Sequence, residues 1–258
     1  NSWDDFDSFE DRVKFNMKLD SSIVSLEDIA FFVSDLKGMN DVVGLQGNFT
    51  DAISQLKIKD FVLGFGQESF VRGDFQLPDF SDSVTQEFTQ FFSDIYINLE
   101  DLKAINMPDS IDPISLDPSI EMNKYLAVSN LTITGSDQDF DFTFDEFKSD
   151  LGVLNLPGSM NFLMDSSSIK IAPSNDYTTN LFIKDFHLGR FLSEDLLGNI
   201  SGSIQPIVEI SNKGDVSFKL NRSNISNVDF NDYNISQIDI LEGSFKNNLL
   251  KAGIKIND

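Results

Sequence analysis

Five short stretches of the chain set a glycine midway between two apolar residues, two positions from each. They are Leu45-Gln46-Gly47-Asn48-Phe49, Val71-Arg72-Gly73-Asp74-Phe75, Leu156-Pro157-Gly158-Ser159-Met160, Ile200-Ser201-Gly202-Ser203-Ile204 and Leu241-Glu242-Gly243-Ser244-Phe245. Strand side chains alternate between faces, so this spacing puts the glycine and both apolar residues on one face of a strand. A glycine within a strand marks a bend, a bulge or a close backbone approach. Repetition of the device points to an elongated sheet that bends several times. It does not point to one compact catalytic domain.

The rest of the chain carries the same period of two. Ile95, Ile97 and Leu99 alternate with polar or amphipathic neighbours, as do Phe140, Phe142 and Phe144. Met160, Phe162 and Met164 form a third run, Val216, Phe218 and Leu220 a fourth, and Ala252, Ile254 and Ile256 a fifth. Each reads as a strand with one apolar and one wet face. Turn-forming Asn, Asp, Gly and Ser between the runs complete an all-β pattern. The fold expected is an elongated, curled β-sheet, a β-taco or open β-helix-like groove, with one or two short helices. The best helix spans Ser25 to Lys37, with Ser25 as cap, Leu26, Ile29, Ala30, Val33 and Leu36 as an apolar stripe, and Gly38 as stop. Residues 107–118 hold Pro108, Pro113 and Pro118 and read as a loop joining two halves of a single segment, 1–258. Lys59-Asp60-Phe61-Val62-Leu63-Gly64 echoes Lys184-Asp185-Phe186-His187-Leu188-Gly189, as expected of stacked, degenerate units of irregular period.

Composition narrows the function. The formal net charge is -23, which opposes nucleic acid and anionic membrane surfaces, both of which attract Lys and Arg. The 25 Phe supply apolar area that so many carboxylates help keep soluble. There is no Cys, so disulfides, thiolate metal sites and Cys nucleophiles are excluded. No apolar run reaches the roughly 18 residues of a bilayer-spanning helix. The chain closes within an alternating run, Gly253 to Asp258, and reads as a segment of something longer.

No enzyme is expected. His187 is the only His and has no nucleophile-elbow Ser for a partner. Asp137, Asp139, Asp141 and Asp145 resemble the start of a calcium loop. Phe142 stands where that loop needs Gly, and Lys148 where it needs Glu, so a solvated strand face is the better reading, with no metal and no cofactor. Gly64-Phe65-Gly66 lacks the rest of a dinucleotide motif. Six Asn-x-Ser/Thr sequons, at Asn48, Asn130, Asn199, Asn221, Asn224 and Asn234, are read mostly as chance. What remains is the apolar face: an ordinary β-core, or a surface that carries an apolar ligand. Alternation alone does not separate these. The candidates to line it are Phe75, Ile97, Phe140, Phe142, Phe144, Phe162, Val216, Phe218, Leu220, Ile254 and Ile256, with Gly47, Gly73, Gly158, Gly202 and Gly243 shaping it.

The last third carries a family resemblance. Leu197-Gly198-Asn199-Ile200-Ser201-Gly202-Ser203-Ile204, Asn227-Val228-Asp229-Phe230-Asn231-Asp232-Tyr233, Leu241-Glu242-Gly243-Ser244-Phe245-Lys246-Asn247-Asn248-Leu249 and Ile254-Lys255-Ile256-Asn257-Asp258 resemble the TamB family of AsmA-like envelope proteins, in the form found in Bacteroidetes. Ser25 to Phe32 and the Gly47 and Gly73 strands agree with it. The motifs are soft and include no catalytic signature. The resemblance implies an internal segment of a periplasmic bridge, anchored at the inner membrane through a region outside these residues. It implies an apolar groove for phospholipid acyl chains, an Omp85-type (TamA-like) outer-membrane partner, and a role in lipid transport or protein assembly at the outer membrane. Asp82-Ser83-Val84 and Asp109-Ser110-Ile111 fit that phylum's O-glycosylation pattern. The competing expectation is a structural or adhesin-like β-solenoid with a closed core. An enzymatic β-helix would need a charged cluster on an exposed face.

Overall fold

A computed structural model describes residues 12–30, 37–76, 88–108, 123–136, 138–174, 179–192, 195–212, 215–231, 233–246 and 249–257. The fold is all-β, and every described strand pairing is antiparallel. Two compact units divide the chain, Asn1–Ser129 and Asn130–Asp258.

In the first unit β1 (Phe15–Ser25), β2 (Val42–Asp51), β3 (Lys57–Phe65), β4 (Ser69–Gln76) and β5 (Phe88–Asn98) pair in chain order. Helix α1 (Leu26–Ala30) follows β1 directly. It begins where Ser25 predicts, and its predicted continuation at 31–36 lies outside the described residues. A 3-10 turn, Ile53–Gln55, links β2 to β3. Helix α2 (Leu99–Ala104) follows β5. Leu99 therefore does not extend the Ile95–Ile97 strand. Asn98 stops it by accepting the Glu100 amide at 3.0 Å, a helix cap. Strand β6 (Tyr125–Gly135) begins in this unit and ends in the second.

The second unit contains β7 (Asp139–Ser149), β8 (Gly152–Met164), β9 (Ser168–Pro173), β10 (Leu181–His187), helix α3 (Leu188–Leu192), β11 (Asn199–Ser211), β12 (Val216–Phe230), β13 (Tyr233–Lys246) and β14 (Leu249–Asn257). Strands β9 and β10 share one position in the sheet. Both pair with β8 on one side and β11 on the other, β9 along one stretch and β10 along the next. Among the described residues three short α-helices accompany the sheet, in keeping with an all-β fold that carries little helix. Helices α2 and α3 are a turn or so long, because turn-rich polar sequence between strands leaves little room for longer ones.

The strands carry left-handed residues, several of them at bulges, and these residues are polar. Ser21, Asp60, Asn130, Asp185 and Asn227 sit inside strands with φ between 50° and 54°. Short polar side chains tolerate this region best. The echo noted between residues 59–64 and 184–189 is one such bulge used twice. Asp60 lies within the register shift from Ile58 to Phe61, and Asp185 within that from Ile183 to Phe186. The echo then diverges: Gly64 stays in β3, whereas Gly189 lies in α3.

Two of the five motif glycines are required by close approach. At Gly73 (φ 157°) a Cβ would lie 2.0 Å from the Phe91 carbonyl oxygen, and at Gly202 (φ 148°) 2.2 Å from that of Asn224. Only glycine fits both the space and the backbone there. Gly47 also lies at a register shift. Gly158 and Gly243 are not among the positive-φ residues. At Gly243 an added Cβ would make only ordinary contact, 3.5 Å from Leu220.

Candidate functional site: an apolar sheet face

In the second unit the candidate residues fall on one face, and the register connects them. Phe140 pairs with Phe162, Phe142 with Met160 and Phe144 with Leu156. The Phe140 and Phe162 rings stack at 4.6 Å between centroids. Phe162 continues to Ile171 on β9, and Ile171 to Val208 on β11. Val208 pairs with Phe218, Ile210 with Val216 and Pro206 with Leu220. Directly opposed residues of antiparallel strands share a face, so an apolar row crosses β7, β8, β9, β11 and β12. A second row runs from Phe147 through Leu154, Ile183, Gly202, Ile225 and Ile238 to Ile256. The uninterrupted alternation of Gly202, Ile204, Pro206, Val208 and Ile210 along β11 places both rows on the same face. Ile254 joins through its partner Ile240.

This face is only partly shielded. Leu156, Met160 and Ile200 are buried, but most of its members are half-buried. Val216 is 46% exposed, and Ile254 and Ile256 are each 54% exposed. The opposite face carries Ser201, Ser203, Gln205 and Glu209 of β11.

Phe75 and Ile97 belong to the first unit. Phe75 pairs with Ile58 and stacks on Phe61 at 6.3 Å. Ile97 is on the face of Ile95, which pairs with Val71. On the apolar face of this unit Val43, Phe49, Ile58 and Leu99 are core residues, whereas Phe75 and Ile97 are half-buried. Helix α2 secures it. The Asp101 carboxylate accepts the amides of Gln67, Glu68 and Ser69 at 2.8, 2.9 and 3.0 Å, and the Ser69 hydroxyl at 2.9 Å. Burial pushes the Asp101 carboxyl up, and these four donors together outweigh it, leaving the group below its ordinary value. At Gly66 (φ 62°) a Cβ would lie 2.2 Å from Asp101, so the clamp and the β3–β4 turn are built around each other.

The sequence reading missed Ile171, Val208, Ile225, Ile238 and Ile240. The β11 alternation was present in the sequence but obscured by Ile207 on the polar face. Ile171 lies on the short, regular strand β9, and Ile225, Ile238 and Ile240 are hidden by bulges. β12 gains a residue near Arg222-Ser223 and β13 near Leu241, so a strict period of two loses step there.

The polar groups singled out by sequence have ordinary structural partners. Asn161 donates to Asp139 at 2.8 Å and to Asp141 at 3.1 Å, and Asn130 donates to Asp145 at 2.7 Å. Among the described residues no group of three His, Cys, Asp or Glu could hold a metal ion. Asp137 lies outside them, as do Ser83, Ser110, Pro113 and Pro118; Pro108 is buried. The His187 Nδ1 accepts the Arg190 amide at 3.4 Å where β10 turns into α3. Four sequon asparagines bond a neighbouring strand's aspartate through their side-chain amides: Asn48 to Asp60, Asn130 to Asp145, Asn224 to Asp239 and Asn234 to Asp229. These four side chains are engaged in cross-strand pairing. No helix of the described residues is long and apolar enough to cross a membrane. The chain matches no protein-family model, no curated protein and no solved structure.

Proposed function

We propose that the apolar face of the second unit holds lipid acyl chains. The observation that carries the reading is partial exposure along a connected apolar row: Val216, Ile254 and Ile256 are about half exposed, on the same face as Phe140, Phe162 and Phe218. Each methylene withdrawn from water onto such a face contributes roughly 0.8 kcal/mol. A row that repeats Phe, Ile, Leu and Val with few polar interruptions binds a chain without a preferred position, so a lipid can slide. The resemblance to TamB-like envelope proteins adds a setting: a periplasmic segment that passes phospholipid toward the outer membrane, or assists protein assembly there, beside an Omp85-type partner. No residue acts as an acid, base or nucleophile in this reading. The surface itself does the work.

The test is photocrosslinking in cells. Crosslinkers at Phe142 and Phe218 are expected to capture phospholipid, and one at Thr143, on the opposite face, is not. Capture at Thr143 alone overturns the reading. Lipid-free purified protein with no capture at any position favours a β-solenoid with a closed, dry core.

A further inference from the structure

The face opposite the apolar one carries a cluster of exposed cations interleaved with three carboxylates. Of the chain's 19 Lys and Arg, five lie on β9, β12 and β14 of this face or its bulge: Lys170, Lys219, Arg222, Lys251 and Lys255. All five are exposed, and among the described residues none forms an ion pair. Register places Lys219 and Lys251 on either side of Ser244, two strand spacings or roughly 10 Å apart. Three depressions follow one another along this face, of about 200, 570 and 490 Å3. Lys170 and Lys219 line the first, Lys219 and Lys251 the second, and Arg222 and Lys255 the third. Between the cations lie hydroxyls and amides, together with Glu209, Glu242 and Asp239; Asp239 accepts from Asn224 and Gln237. An exposed aromatic also shares the face. Phe182 is 43% exposed and starts the row that passes through Ser203, Asn224 and Asp239 to Lys255.

We infer that this polar face docks an acidic glycan strand. Cations meet the glycan's carboxylates, amides and hydroxyls bond its ring hydroxyls, and Phe182 offers a flat apolar surface to a sugar ring. Charge complementarity selects a thin, flexible strand. A membrane plane or a nucleic-acid duplex would engage the field of the whole chain, whose net charge of -23 repels it. A single glycan strand touches only the cluster. The inference does not depend on the lipid reading, which uses the other face.

The experiment titrates the purified 258-residue chain with polygalacturonate oligomers, with neutral maltohexaose and with phosphatidylglycerol vesicles. Polygalacturonate is expected to bind and to weaken as salt rises, with maltohexaose and vesicles at least about tenfold weaker. The double variant Lys219→Glu/Lys251→Glu should lower the affinity about tenfold, the loss expected from turning two attractive contacts repulsive. Phe182→Ala should lower it about threefold, and Lys219→Arg/Lys251→Arg should retain it. Ile254→Ser, on the apolar face, should leave it unchanged. Circular dichroism checks that each variant is folded. No saturable binding of polygalacturonate, binding that survives the double Glu variant, or a preference for vesicles overturns the inference.

Discussion

Helices α2 and α3 each follow a strand with an apolar face, and they finish that face differently. Leu99 of α2 is 2% exposed, and Asp101 fastens the helix to the β3–β4 turn through four hydrogen bonds. Phe191 of α3 meets Phe186 edge-on yet remains 42% exposed, and beyond it β12–β14 leave Val216, Ile254 and Ile256 half in water. The same alternating pattern thus yields a residue as closed as Leu99 in one unit and residues as open as Val216, Ile254 and Ile256 in the other. The difference lies in what packs on the face. A buried carboxylate matched by four donors costs little to keep and locks its helix in place, whereas Arg190 of α3 donates to the Asp150 carbonyl at 3.4 Å, a longer contact from an exposed side chain.

The comparison breaks first on truncation. Leu99→Ala should destabilise by about 3 kcal/mol, because it removes a fully buried side chain and leaves a cavity. Ile254→Ala should cost under about 1 kcal/mol, since most of its transfer to an apolar site never took place. Urea unfolding of both variants decides it, and equal losses would mean that the second face is as closed as the first.

Glycine replacement sharpens it next. Gly202→Val should cost about 2–3 kcal/mol, because the new Cβ meets the Asn224 carbonyl in a backbone region that valine avoids. Gly243→Val should be nearly neutral, since its Cβ would meet only ordinary contacts. Thermal melts of the two variants, with the crosslinking at Phe218 repeated in each, separate the glycine that holds the sheet's path from the one that merely leaves space.

The smallest effect is the most specific. Asp101→Asn keeps one carbonyl acceptor and should cost about 1–2 kcal/mol at neutral pH. Its pH dependence has a defined sign. The folded carboxyl titrates below the ordinary 3.8, so the unfolded chain binds the proton first as pH falls. The stabilisation is complete above that value and is lost as pH drops through the lower folded value. Unfolding free energies measured at descending pH should therefore converge for the native chain and Asp101→Asn. A constant gap would show that the clamp does not act through its charge.

Much of the strand architecture was legible in sequence because alternation is a local property. Phe140-Asp141-Phe142-Thr143-Phe144 can bury only one side, whatever pairs with it. The Lys59-Asp60-Phe61 and Lys184-Asp185-Phe186 echo was legible too, although its cause was not. A single residue in left-handed backbone looks no different in sequence from a polar residue on a regular strand. Ile225, Ile238 and Ile240 were missed for the same reason: the bulges near Arg222 and Leu241 shift the period within a strand. Leu99 misled in the other direction, since only the cap at Asn98 turns a strand into a helix there.

The sequence by itself determined that this chain makes β-sheet with one apolar and one polar face, because a period of two admits no other efficient burial. It also set the excess of negative charge and the absence of thiol chemistry. Only the tertiary structure decided which strands lie side by side, and hence that Phe162, Ile171, Val208 and Phe218 form one row while five cations, without an ion pair among the described residues, gather on the opposite face and its bulge. Register is a relation between strands distant in the chain, and exposure depends on what packs above a face. Neither is written in any one stretch of residues.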